Sequence, residues 1–203
     1  NPADRIKTIL HACLPKIIFS KQDKLEILEC ALQAKIPCVN YETVSLNPTS
    51  ALKEHGFDGD TIAYIMFTSG STGVPKGAAI THQNILHFIA WTTSRFSIKP
   101  DDNFANISPM YFDNSVFDFY TALFSGASLT PISKPLLTKP LELVQYLDQK
   151  ACTIWFSVPS MLIYMMTMKV LKKENLKTIR TFIFGGEGRS EERRVGKECL
   201  RLC

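Results

Sequence analysis

Residues 68–77 read Thr68-Ser69-Gly70-Ser71-Thr72-Gly73-Val74-Pro75-Lys76-Gly77, a run dense in hydroxyls and glycines with one lysine, directly after the apolar residues Ile65, Met66 and Phe67. This is chemistry suited to phosphate. Glycines let backbone N–H groups turn toward an anion without Cβ obstruction, Thr68, Ser69, Ser71 and Thr72 add neutral donors, and Lys76 adds a positive charge. A triphosphate is the expected occupant. The loop is not a G-x-x-x-x-G-K-[ST] phosphate loop, because the spacing from Gly70 fails and Lys76 is followed by Gly77. Nor is it a Ser/Gly linker, which would need neither the Pro75-Lys76-Gly77 ending nor the apolar strand before it.

The elements that must carry this loop alternate in type. Short apolar runs at 16–20, 36–40, 61–67 and 78–81 are expected strands. A helical pattern opens at Asp23, with Leu25, Leu28, Ala31 and Leu32 on one face, and lies between the first two strands as a βαβ unit. Residues 43–60 are polar, contain Asn47-Pro48 and Gly56, and read as a connection. A helix is expected over 82–95 with Ile85, Phe88, Ile89 and Phe96 inward. Strands at 104–107, 128–132, 153–156 and 180–184 follow, separated by helices at 116–124, 139–149 and 159–170. The fold class is α/β, a mostly parallel sheet covered by helices on both faces.

Composition narrows the function classes. The chain has 203 residues, 45% of them hydrophobic, enough for a substantial core in one domain or a large part of one. The net charge of +4 is modest and no basic block interleaves with aromatics before the last residues, which disfavours a nucleic-acid partner. The apolar stretch 157–168 is interrupted by Pro159 and polar residues and is too short for membrane insertion, so a cytoplasmic location is the default expectation. Six irregularly spaced cysteines give neither a disulfide framework nor a C-x-x-C metal pattern; Cys13, Cys30, Cys38 and Cys152 read as reduced, partly buried thiols.

The run from Thr68 to Gly77 resembles, almost letter for letter, the T-S-G-S-T-G-x-P-K-G signature of the adenylate-forming (AMP-binding) superfamily. Its members include acyl-CoA synthetases, nonribosomal peptide synthetase adenylation domains and D-alanine carrier-protein ligases. The resemblance implies part of a large N-terminal adenylation domain over residues 1–188, ATP with Mg²⁺ as cofactors, and an acyl-adenylate as product. It assigns Thr68, Ser69, Gly70, Ser71, Thr72, Gly73 and Lys76 to the pyrophosphate end of ATP.

Asp113 is the second loaded position. Taken alone, an aspartate at a loop-to-helix junction is a helix cap. Yet Phe112-Asp113-Asn114-Ser115-Val116 resembles the F-D-x-S-V motif of amino-acid-activating members, whose aspartate pairs with the substrate α-ammonium group. Such a charge-assisted bond would penalise acyl substrates lacking the ammonium. Gly185-Gly186-Glu187, after an apolar strand, reads as a turn by itself; the resemblance makes it a wall between adenine and substrate side chain. It places Phe117, Phe156 and Ile183 in the side-chain pocket, although each also fits an ordinary core. The aromatic lining implies a small or apolar amino acid. D-alanine ligases, however, typically carry a cysteine where this chain has Gly185, which points to a larger side chain.

The implied whole activity is amino-acid activation followed by transfer to a phosphopantetheine thiol on a carrier protein. An acyl-CoA synthetase acting on a fatty or aryl acid, and a non-catalytic module of the same fold, are the alternatives. The resemblance leaves the Y-G-P-T-E motif that coordinates magnesium, the T-G-D aspartate and the C-terminal catalytic lysine outside the chain, so no complete catalytic set and no metal ligand set is expected in it, and the chain by itself is expected to be inactive. Residues 189–203 differ sharply in composition, carrying five Lys/Arg and three Glu, and resemble the translation of a sequencing adapter; they are expected to be foreign to the fold. His82 reads as part of a helix start, His11, His55 and His87 form no ligand spacing, the methionines at 161, 165, 166 and 168 read as core filling, and Glu142 and Asp148 read as a solvated helix face.

Overall fold

The computed structural model describes residues 3–21, 24, 36–44, 56–68 and 76–185, which divide into two compact units, Asn1–Ile80 and Thr81–Cys203. In the first unit, α1 (Ala3–Cys13) precedes two short strands, β1 (Ile18–Ser20) and β2 (Cys38–Asn40), paired in parallel with Ile18 opposite Cys38. Parallel pairing of consecutive strands requires a crossover, and the helical pattern expected from Asp23 is the segment that would supply it; apart from Lys24 it lies outside the described residues. The polar stretch 43–60 is described only at its ends. A second two-stranded sheet pairs β3 (Ile62–Thr68) with β4 (Lys76–Thr81).

In the second unit, α2 (His82–Phe96) begins with a reciprocal cap: the Thr81 hydroxyl accepts the Asn84 N–H at 3.3 Å, and the Asn84 side chain accepts the Thr81 N–H at 3.1 Å. Ile85 and Ile89 are buried, and Phe88 and Phe96 pack against the buried cluster of Ile98, Phe104, Phe117, Ala122 and Ile154, the inward face expected from the spacing. Four parallel strands follow: β5 (Asn103–Asn106), β6 (Ser128–Pro131), β7 (Ile154–Ser157) and β8 (Thr181–Phe184), in the order β6-β5-β7-β8. Their crossovers carry α3 (Asn114–Phe124), α4 (Lys134–Leu137) with α5 (Pro140–Gln149), and α6 (Pro159–Thr167).

Alternation along the strands sorts the core into two layers. Phe104 and Ile154 face one side, where Phe117 and Ala122 of α3 cover them; Ala105 and Trp155 face the other, beneath Leu143, Val144 and Leu147 of α5 and Met165 of α6. The expected parallel sheet with helices on both faces is therefore present. Three smaller expectations are corrected. Cys13 is exposed, and Met166 and Met168 are about half exposed because α6 buries Met165 alone of its residues. Asp148 is no solvated residue: its carboxylate accepts the Leu176 N–H at 2.6 Å and the Asn175 side chain at 3.3 Å, pinning the loop that leads to β8.

Candidate functional site

The strand order gives the sheet a switch point. From β5 the chain crosses to β6 on one side, then returns past β5 to β7 on the other, so the connections leaving the carboxyl ends of β5 and β7 diverge. Open α/β sheets place ligands in the crevice at such a point. The segment leaving β5 is Ile107 to Asp113, and the one leaving β7 is Val158, with Gly185 at the end of β8 next to it. Asp113 stands at the entrance of α3 in helical backbone conformation and makes no side-chain capping bond. The Ser115 hydroxyl instead closes the first turn, donating to the Phe112 carbonyl at 2.6 Å. Asp113 is exposed, and its neighbours Tyr111 and Phe112 are exposed as well, at 63% and 54%. Its carboxylate is thus free of the cap duty that an isolated aspartate here would have, and it is open rather than enclosed by apolar neighbours.

The expected pocket residues come together. The Phe117 and Phe156 rings meet edge to face with centroids 5.2 Å apart, Ile183 lies opposite Phe156 in the β7–β8 ladder, and both pack on the cluster containing Phe117. A Cβ on Gly185 would lie 3.3 Å from two atoms of the Phe156 ring, so the glycine leaves that ring face clear. Gly186 and Glu187 lie outside the described residues, as does the tail 189–203. In the first unit, Thr68 and Lys76 end β3 and begin β4, both exposed, with the Thr68 hydroxyl 3.5 Å from the Lys76 carbonyl. Ser69, Gly70, Ser71, Thr72 and Gly73 lie outside the described residues. The glycine after Lys76 is needed locally: a Cβ on Gly77 would come within 2.9 Å of Ile65 and 3.2 Å of Phe67.

A family model described as AMP-binding enzyme matches residues 1–194. The chain belongs to the AMP-binding enzyme family. It is 41% identical over 143 residues to an L-proline–[L-prolyl-carrier protein] ligase of Pseudomonas fluorescens, covering 70% of this chain and 28% of that protein. It is 31% identical over 194 residues to a D-alanine–D-alanyl carrier protein ligase of Bacillus mycoides, covering 92% of this chain and 37% of that protein. The chain therefore spans about a third of the length of these relatives. Its fold is similar to that of McyG A-PCP complexed with phenylalanyl-adenylate, with a TM-score of 0.83 at 20% identity over 98% of this chain and 33% of that one. Among the described residues no helix is long and apolar enough to cross a membrane.

Within this AMP-binding fold, two carboxyls that motif reading passes over shape the sheet. Asp118, on the buried side of α3, is wholly inaccessible. Burial pushes its carboxyl well above the usual range, offset only by the bond it accepts from Asn106 at 3.2 Å. The signal for it was an aspartate embedded in the aromatic run Phe117-Asp118-Phe119-Tyr120. At the opposite end of the sheet Asp102 is also buried, which pushes its carboxyl up, but bonds from Arg180, from the Thr153 hydroxyl at 2.7 Å and from the Lys99 N–H at 2.8 Å outweigh this and hold it at about 2. Arg180 continues to the Phe96 and Ser97 carbonyls, tying β8 to the end of α2. The surface concavity lined by Gln83, Asn84, His87, Phe88 and Trp91 lies along α2 alone and includes none of the expected site residues.

Proposed function

We propose that the whole protein activates an amino acid. The substrate carboxylate attacks the α-phosphorus of ATP, the bond to the β-phosphate breaks, and pyrophosphate leaves behind an aminoacyl-adenylate; the acyl group then passes to the phosphopantetheine thiol of a carrier protein. Positioning and charge stabilisation do most of the work in such a displacement. Thr68 to Gly73 and Lys76 hold the β and γ phosphates, Asp113 receives the α-ammonium group, and Phe117, Phe156, Ile183 and Gly185 receive the side chain, with Gly186 and Glu187 completing the wall toward adenine. The observation that carries this reading is an uncommitted carboxylate, Asp113, at the carboxyl edge of the sheet and at the head of the helix whose Phe117 meets Phe156 beside Gly185. The carrier-protein ligases to which the chain is similar support the same substrate class and acceptor. Among the described residues no group of three or more His, Cys, Asp or Glu side chains could hold a metal ion.

A second reading, a synthetase for fatty or aryl acids, draws on one observation: an exposed carboxylate pairs weakly with an ammonium group. Asp113 selects amino acids only if substrate and surrounding residues cover it in the bound state. One experiment separates the readings. In ATP–pyrophosphate exchange by the whole protein, with a panel of amino acids and acyl acids, Asp113→Ala is expected to lower amino-acid-dependent exchange by about 30-fold or more, the scale of an unpaired buried charge. ATP affinity should hold. Lys76→Ala should instead weaken exchange with every substrate, since it acts on the shared leaving group. Amino-acid exchange at the unaltered rate in Asp113→Ala would move the acyl-acid reading ahead.

A further inference from the structure

Asp118 has no part in the reading above, yet it lies on the same helix as Phe117, five residues after Asp113, and is tied to the end of the strand that leads to Asp113. Its Oδ2 accepts from Asn106 Nδ2 at 3.2 Å, and the same Nδ2 donates to the Ser108 carbonyl at 3.3 Å. Its Oδ1 is buried with no bonding partner. Asn106 is the last residue of β5, and Ser108 sits in the turn that leaves the strand, where Ile107 N–H donates to the Ala105 carbonyl at 2.9 Å. One amide group therefore grips both the strand-to-helix turn and the underside of α3. At the near end the Ser115 hydroxyl closes only the local turn on the Phe112 carbonyl; at the far end Thr121 meets Thr92 at 3.0 Å and Ser125 meets Thr93 at 3.1 Å, which fixes α3 to α2 and not to the end of β5.

Resting on the amino-acid reading of Asp113, we propose that Asp118 is a positioning residue for the amino-acid site: by gripping Asn106 it sets the rotation of α3 and the course of residues 107–113, and so the places of the Asp113 carboxylate and the Phe117 ring. An apolar residue would fill the same space without the desolvation cost of a carboxyl, but it would leave Asn106 Nδ2 with only one acceptor and the turn without its link to the helix. Burial raises the Asp118 carboxyl well above the ordinary range and so disfavours a negative charge on the underside of the helix.

The test uses the whole protein, with the L-amino acids and D-alanine as probes and the member exchanged fastest carried forward. Asp118→Ala is expected to raise KM for that amino acid about tenfold, the scale of one lost bond, and to leave KM for ATP unchanged. Asp118→Asn, which offers Asn106 the same acceptor, should restore the amino-acid KM. Hydrogen exchange at residues 107–113 should quicken in Asp118→Ala and recover in Asp118→Asn. An unchanged amino-acid KM in Asp118→Ala, or a rise in both KM values that Asp118→Asn fails to rescue, overturns the proposal. Should Asp118→Ala not fold, Asn106→Ala takes its place, and an unchanged amino-acid KM there overturns it equally. Loss of the amino-acid reading has a separate signature: Asp113→Ala would leave amino-acid exchange intact, while protection of residues 107–113 would still judge the grip of Asp118.

Discussion

At the scale of single residues, two buried carboxyls give the fold opposite responses to acid. Asp102 is held at about 2, below its unfolded value, so the folded chain binds fewer protons than the unfolded one and stability rises as pH climbs through that interval. This contribution is complete above roughly pH 4 and disappears as pH falls toward about 2. Asp102→Asn is expected to cost about 2 kcal/mol at neutral pH and to flatten the acid limb, read from urea midpoints at several pH values. Asp118 has the reverse sign. Its folded value lies above the unfolded one, so the folded chain holds the extra proton, and stability is greatest below about pH 4 and declines as pH rises. Asp118→Asn, neutral at every pH, should abolish that decline and leave the midpoint at neutral pH equal or higher. A lower midpoint, with the decline intact, would mean that Asp118 is ionised in the folded chain.

At the scale of elements, the sharpest lever on the proposed side-chain pocket is the end of β8. A methyl at Gly185 would press on Phe156 at 3.3 Å, and Phe156 already bears on Phe117, so the side-chain space narrows from one wall. Gly185→Ala is expected to lower exchange with large aromatic amino acids by about tenfold relative to small ones, with little change in melting temperature. The strands of the parallel sheet were legible as short runs with apolar centres between turn residues, and α2 because Thr81 and Asn84 announce its start; only ends shift, as at β5, which begins at Asn103 rather than Phe104, and, in the separate β3–β4 pair, at β4, which begins at Lys76 rather than Ala78. The helix α1 is not among the expected elements, although Ile6, Ile9, Leu10 and Cys13 recur at helical spacing within Ala3–Cys13. Asp113 stands out through its motif, and the proposed pocket residues Phe117, Phe156 and Ile183 only through the family resemblance, since each also fits an ordinary core; Asp118 and the loop partners of Asp148 depend on contacts between distant segments, which periodicity does not encode.

At the scale of the whole molecule, the chain matches 28% and 37% of the two carrier-protein ligases, and the resemblance leaves the T-G-D aspartate and the C-terminal catalytic lysine outside it. The 203-residue chain alone is therefore expected to show no amino-acid-dependent pyrophosphate exchange; measurable exchange would mean that the described units suffice for the chemistry. The aromatic packing of the second unit constrains how such a protein changes over generations. Phe117 is 4% exposed and packs with Phe96, Phe104 and Phe156 in a single aromatic chain, so the ring that would meet the substrate is also a keystone of the layer beneath the sheet. Emptying that position would remove on the order of 3–5 kcal/mol of packing, a large share of the stability of an ordinary domain. Descendants with a new substrate preference should accordingly diverge first at Gly185 and Ile183, at the rim, and reach Phe117 only after compensating changes elsewhere have raised stability.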